Sequence, residues 1–233
     1  MTYADLLDAL IRRDPVVQSV VGAVPDGVWG PRTERALEAR LHVEWERVCE
    51  AHGWVFLPAG AHRTRTEPIA QSILHWPGST RTARKLGSSW RRNESGSRVS
   101  SHCGIDENEV IWYRPPHTVT HHAGIANGAS IGIDICAPIL GEHEDNARKR
   151  GIFVGRRRER FSAPNGGTHG GDLLDLHPAI AMRVAAVRRA LDTLGISPVW
   201  TDHAAVDPDR KWDCRPWRPV LRRVGALDSP ELV

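Results

Sequence analysis

The chain has 233 residues, a formal net charge of +3, 40% hydrophobic residues and 25% charged residues. That is ordinary globular usage, which excludes a disordered chain, and no apolar run approaches the ~20 residues of a membrane-spanning helix. Four cysteines, Cys49, Cys103, Cys136 and Cys214, stand singly and read as free thiols, since the paired spacings of a zinc ribbon or disulfide scaffold are missing. The length suits a medium domain with a small appendage.

In chain order, Leu6 to Val21 reads as one or two short helices. The next stretch, "PDGVWGP", is a turn cluster in which Gly27 and Gly30 permit backbone angles that other residues avoid. From Pro31 to His52, apolar residues recur at Ala36, Leu37, Leu41, Trp45 and Val48, the spacing of an amphipathic helix, with Pro31 in its first turn and Gly53 placed for a left-handed cap. Residues 1–53 thus predict a small all-helical module. After a Pro- and Gly-bearing connection at 56–62, short apolar runs at 72–76, 99–105, 110–113 and 130–136 predict strands.

Residues 141–176, rich in Gly, Arg and Asn, read as a long irregular insertion. Its segment 148–161 carries seven Arg and Lys residues, but no nucleic-acid recognition module accompanies them, so a solvated loop is expected and a nucleic-acid partner is not. Pro178 opens a helix over 177–195, striped by Val184, Val187, Leu191 and Leu194 and closed by Gly195; residues 198–200 form one more strand. The expected architecture is an α/β domain over 54–233, with a mixed central sheet flanked by helices, preceded by the helical module.

His75 and His203 both fall at predicted strand ends, where distant parts of a chain converge on a cleft. After His203, the loop "TDHAAVDPDRKWDCRPW" also carries Lys211, Asp213 and Cys214. Catalytic zinc takes three protein ligands and leaves one position for water. Two imidazoles and one anion make such a site, so His75, His203 and either Asp213 or Cys214 are candidate ligands for Zn2+. Adjacent residues in extended chain point apart, so one of that pair faces the metal. Taken alone, Asp134 is a strand-end acid and Lys211 a loop cation.

Taken together, "RVSSHCGI", "VTHHAG", "SIGIDI" and "HAAVDPDRKWD" resemble, in order and wording, the type 2 N-acetylmuramoyl-L-alanine amidases. That family includes the anhydro-muropeptide amidases and the peptidoglycan recognition proteins, and the resemblance runs from about residue 70 to residue 217. It implies the fold of that family and hydrolysis of the amide between N-acetylmuramic acid and L-alanine. It further implies His75, His203 and Asp213 as zinc ligands, with Asp213 two residues beyond Lys211, the catalytic lysine. Asp134 falls where the family carries a glutamate credited with base chemistry, and its shorter side chain loses roughly 1.5 Å of reach. His122 matches a cleft histidine and, with Asn127, is a candidate for substrate binding. His102 reads equally as a hydrogen-bonded, partly buried residue, and Ser101 stands where some members carry a catalytic tyrosine. Two departures are Cys214-Arg215-Pro216-Trp217 in place of Pro-Gly after the metal aspartate, and "DENE" in place of an Asp-Gly hairpin.

The N-terminal "VVQSVVG" and "DGVWGPRTERALEA" resemble the peptidoglycan-binding type 1 module through Asp26, Gly27, Trp29, Gly30 and Thr33. Both resemblances imply peptidoglycan as the partner. The opening "MTYADLLDALIRRDP" does not read as a signal peptide, so the expectation is a phage-type endolysin made in the cytoplasm and acting on the bacterial wall after lysis, with no membrane partner. A non-catalytic recognition protein and an intracellular muropeptide-recycling amidase are the alternatives, and the sequence carries no sign of oligomeric state.

Overall fold

The computed structural model describes residues 1–58, 63–92, 100–162, 168–208 and 211–228. Val99 of an expected strand, residues 59–62 of the connection and 163–167 of the expected insertion lie outside these.

Helices α1 (Tyr3–Arg12) and α2 (Pro31–Ala51) open the chain, with a short 3-10 turn at Pro15–Ser19 between them. Thr2 starts α1 by a reciprocal cap: its hydroxyl accepts from the Asp5 N–H at 3.2 Å, and the Asp5 carboxylate accepts from the Thr2 N–H at 2.6 Å. Pro31 begins α2, and Gly53 follows it at φ 65°. Gly27 takes φ 72°, as expected of the turn, but Gly30 is extended at φ −149°, a conformation open to any residue. Buried Gln18 holds this turn. Its amide N–H groups donate to Asp26 at 2.7 Å, the Val28 carbonyl at 3.0 Å and Thr33 at 3.1 Å, and its Oε1 accepts from the Gly27 N–H at 3.0 Å. Asp26, Gly27 and Thr33 therefore all have structural work in the turn itself.

The remaining elements are β1 (Val55–Phe56), β2 (Arg63–Thr64), β3 (Gln71–His75), α3 (Ala83–Arg92), β4 (Cys103–Ile105), β5 (Val110–Trp112), β6 (Thr118–Val119), β7 (Ser130–Ile135), α4 (Glu144–Lys149), β8 (Arg156–Ser162), β9 (Thr168–Leu174), α5 (Pro178–Thr193), β10 (Val199–Asp202), α6 (His203–Val206) and α7 (Arg218–Arg223). Six strands form a mixed sheet in the order β1-β5-β4-β7-β3-β10, parallel throughout except between β5 and β4. The fold is thus α/β, with a central, mostly parallel sheet flanked by helices.

Side chains alternate across a sheet, so register decides what each face carries. Leu74, Ile133, Cys103 and Trp112 are matched across β3, β7, β4 and β5 and share one face, joined in a single buried cluster by Leu37, Leu41 and Trp45 of α2 and Ile180, Val184, Val187 and Leu191 of α5. One residue further along, His75, Asp134, Gly104 and Ile111 are matched on the opposite face. There Ala83 and Leu86 of α3 pack on Ile111 and Tyr113. A shift of one residue separates core from chemistry.

The N-terminal helices are joined to this core by aromatic packing. Trp45 meets Trp112 edge-on at 4.6 Å between centroids, and Tyr3 lies 5.1 Å from Trp45. The Tyr3 hydroxyl also lies 3.0 Å from His117 Nδ1. Trp45→Ala is expected to cost roughly 3–5 kcal/mol, as for large buried aromatics generally. A urea-unfolding midpoint unchanged by the substitution would refute that role for α2.

The expected irregular insertion is ordered where it is described. It contains α4 and the antiparallel ribbon β8–β9, whose register runs from Arg156 opposite Leu174 to Ser162 opposite Thr168. The strand was hidden because "RRRERFS" has no apolar alternation: its inner positions are an ion pair, Arg157 with Glu159 at 3.1 Å, and Arg157 also reaches Asp175. Most of the basic run is likewise matched by acids, Arg148 and Arg156 by Glu144 and Arg150 by Glu107. Helix α3 also escaped the sequence pattern, because Gly87 breaks its propensity. A Cβ at Gly87 would collide with the Tyr113 ring, so close packing explains the glycine.

Candidate metal centre and active site

In a parallel sheet, clefts form outside the carboxyl ends of the strands. His75 ends β3, Asp134 lies one residue from the end of β7, and His203 follows β10 directly. Asp202 N-caps α6 by accepting from the Ala205 N–H at 2.9 Å, and two N–H groups of Arg218 grip the same carboxylate. That clamp fixes where His203 leaves the sheet.

The loop then brings Asp213 back to the histidines. His75 Nδ1 lies 2.9 Å from His203 Nδ1, and Asp213 Oδ2 lies 3.3 Å from His203 Nδ1 and 3.8 Å from His75 Nδ1. All three residues are buried, and the three atoms meet the spatial requirement for holding one ion. Ligand atoms about 2.0–2.1 Å from a tetrahedral zinc stand roughly 3.3 Å from one another, which these separations bracket. Two ring nitrogens and a carboxylate oxygen, atom types that ligate zinc, converge at short range. The donor set suits zinc.

Cys214 is not part of this cluster. It takes φ 63°, a left-handed conformation rare for a non-glycine residue, and its fully buried side chain joins the hydrophobic core while Asp213 turns to the histidines. That turn places Asp213, and not Cys214, beside the two histidines.

A pocket of about 260 Å³ opens over these groups, lined by His75, Asp134, His203, Lys211 and Asp213 together with Trp76 and Ser101. Asp134 is buried and shares register with His75. Burial raises its carboxyl to about 7; the Ser101 hydroxyl donates to it and opposes the rise, and the Asp213 charge adds to it. Its Oδ2 has no hydrogen-bond partner among the described residues. His75 is held well below the ordinary histidine range by burial first, then by His122, His203 and Lys211, so its imidazole is neutral and fit to ligate.

His122 also borders the pocket, but its ring contacts are His75 and Ser130, at 2.9 and 3.1 Å. Asn127 does not line the pocket; its Oδ1 accepts from the backbone N–H groups of His122 at 2.9 Å and Ala123 at 2.7 Å. His102 is fully buried and satisfied: Nδ1 accepts from the Gly132 N–H at 3.0 Å, leaving Nε2 to donate to the Thr118 carbonyl at 3.0 Å. It is thus the hydrogen-bonded residue that the sequence allowed, buried fully rather than partly.

Three contributors were missed in the sequence. Ser101 was noted for the tyrosine it replaces, yet it touches Asp134. Trp76 follows a ligand candidate, its N–H lies 3.4 Å from Asp213 Oδ2, and its ring is 5.7 Å from that of Trp212. Arg65, fully buried, donates to the carbonyls of Pro116, Thr118, Gly128 and Ser130, tying β6 to the start of β7.

No protein-family model matches the chain, nor does any curated protein at a significant level. Among solved structures, the chain is similar to PlyL, with 15% identity over 72% of this chain and 89% of that one and a TM-score of 0.45. It is also similar to the catalytic domain of XlyA, with 18% identity over 73% and 96% of the two chains and a TM-score of 0.46. A third is the N-acetylmuramoyl-L-alanine amidase LysC from Clostridium intestinale URNW, with 16% identity over 64% and 83% and a TM-score of 0.36. Any assignment of function therefore rests on the site and on the motifs that compose it.

Proposed function

We propose that the chain is a zinc-dependent N-acetylmuramoyl-L-alanine amidase of the phage endolysin type, cleaving peptidoglycan between the muramic acid lactyl group and L-alanine. The observation that carries this is the convergence of His75, His203 and Asp213 at the floor of a pocket that also holds Asp134 and Lys211. Each stands at a position that the amidase resemblance assigns a role, with Asp134 in place of the family's glutamate.

Zinc held by these three residues would make water a nucleophile at neutral pH and polarise the scissile carbonyl. Asp134, whose Oδ2 has no hydrogen-bond partner among the described residues, takes the proton of the attacking water and returns it to the leaving nitrogen. Ser101 holds the other side of the carboxylate. Lys211 presents a fixed positive charge to the carbonyl oxygen as it becomes anionic. Trp76 walls the pocket and limits water.

Residues 1–53 are proposed to hold the enzyme on the wall through the Asp26–Thr33 turn, where Val28, and Val24 just before it, are largely exposed. Val28→Glu is expected to weaken co-sedimentation with purified walls without altering the melting temperature; undiminished binding would remove the wall-binding role from this turn. No helix among the described residues is long and apolar enough to cross a membrane.

The decisive experiment is metal analysis of the purified protein combined with digestion of peptidoglycan. One zinc per chain and newly freed α-amino groups of L-alanine are expected. Intact sugar-peptide bonds and no bound metal would overturn the proposal.

A further inference from the structure

We infer that His122 is a positioning residue: by accepting a hydrogen bond from His75 Nε2, it selects the tautomer of His75 whose Nδ1 lone pair faces the metal site. The inference rests on the metal-centre proposal above and follows from hydrogen-bond bookkeeping along one chain of groups.

The Ala126 carbonyl can only accept, so the Ser130 hydroxyl at 2.5 Å donates to it. Having given its proton away, Ser130 Oγ meets His122 Nε2 at 3.1 Å as an acceptor, and Nε2 therefore carries the hydrogen. A neutral imidazole has one N–H, which leaves His122 Nδ1 with a lone pair. That nitrogen lies 2.9 Å from His75 Nε2, which must donate. His75 Nδ1 is then left unprotonated, 2.9 Å from His203 Nδ1 and 3.8 Å from Asp213. A backbone carbonyl thus determines, through three groups, which nitrogen of His75 can ligate. Partners of this kind on the far side of a ligating histidine typically fix its tautomer and ring orientation.

The neighbourhood is built to hold His122 in that place. Asn127 Oδ1 binds the backbone N–H groups of residues 122 and 123, setting the strand exit from which the ring projects. Gly132 leaves room for the ring: a Cβ there would stand 2.5 Å from His122 Cγ. The glycine of "SIGIDI" takes no left-handed φ and earns its position by this contact alone. The rings of His75 and His122 cross at 89° with centroids 5.0 Å apart, so one presents an edge nitrogen to the other.

The test uses the full chain with 15N-labelled histidine. Long-range proton–nitrogen spectra at neutral pH report the tautomer of His75, and chelator competition reports zinc affinity. The unsubstituted protein is expected to carry the His75 proton on Nε2 even without metal. His122→Leu removes the acceptor and is expected to give a mixed tautomer and zinc binding weaker by about 10–100-fold; His122→Gln, whose Oε1 can accept, is expected to recover most of both. Ser130→Ala removes the acceptor for His122 Nε2 while leaving both imidazoles in the chain, so it reads the effect even if His122→Leu fails to fold. A proton on His75 Nδ1 in the unsubstituted chain, or a tautomer and affinity unmoved by both Ser130→Ala and His122→Leu, would overturn the inference. An Nε2-protonated His75 that shifts in the variants but never takes up zinc would uphold it and sink the metal-centre proposal instead.

Discussion

Asp213→Ala is expected to abolish zinc binding and hydrolysis together, whereas Lys211→Ala is expected to keep the metal and lose turnover by roughly 100- to 1000-fold, the usual scale for a group that stabilises a developing oxyanion. The two residues sit two positions apart in one loop, yet their surroundings differ. Asp213 Oδ2 lies within 3.3 Å of His203 Nδ1 and 3.8 Å of His75 Nδ1, so its loss leaves two imidazoles and no anionic ligand. Lys211 lines the pocket without belonging to the ligand cluster. Its charge lowers the basicity of His75, so removing it does not impair ligation. Elemental analysis for zinc and release of amino groups from peptidoglycan separate the two effects. A Lys211→Ala protein that lost its metal, or an Asp213→Ala protein that kept it, would reverse the assignment.

The parts of this molecule legible in its sequence are those where one local rule suffices. Helix α2 announces itself by spacing, by Pro31 at its start and by Gly53 beyond its end. The strands ending at His75 and carrying Asp134 are short apolar runs, and their ends are where a mostly parallel sheet puts its cleft. What escaped notice depends on partners far away in the chain. Helix α3 is broken on paper by Gly87, whose reason is the Tyr113 ring. Strand β8 reads as a charged loop because its inner face is satisfied by ion pairs with Glu159 and Asp175. Asn127 and His122 carry polar groups that a substrate could use, but the protein's own backbone and His75 already engage them. Single-residue chemistry shows that a group can bind, and three-dimensional contacts show which of its atoms are already engaged within the protein.

Asp134→Asn should stabilise the zinc-free protein at alkaline pH while lowering turnover by roughly 100- to 10,000-fold, the span expected on losing a general base. In the folded state burial raises the Asp134 carboxyl to about 7 from an ordinary value of 3.8. Between those values the folded chain holds a proton that the unfolded chain has released. Stability therefore falls as pH rises across that window and levels off above it. A rise of that size corresponds to on the order of 4 kcal/mol at full ionisation, and asparagine, which never ionises, avoids it while still accepting from Ser101. Buried His75 and His122 act in the opposite sense, since their depressed basicity makes the fold lose stability as pH drops below the ordinary histidine range. Both chains share that loss, so the difference between them isolates residue 134. Urea unfolding at pH 8 should favour the variant, and the gap should close towards pH 4. A variant no more stable than its parent at pH 8 would mean the carboxylate is solvated rather than strained. Turnover retained by the variant would move the base elsewhere. If both expectations hold, the fold keeps an unfavourable buried acid at the end of β7 because the reaction requires a proton acceptor there.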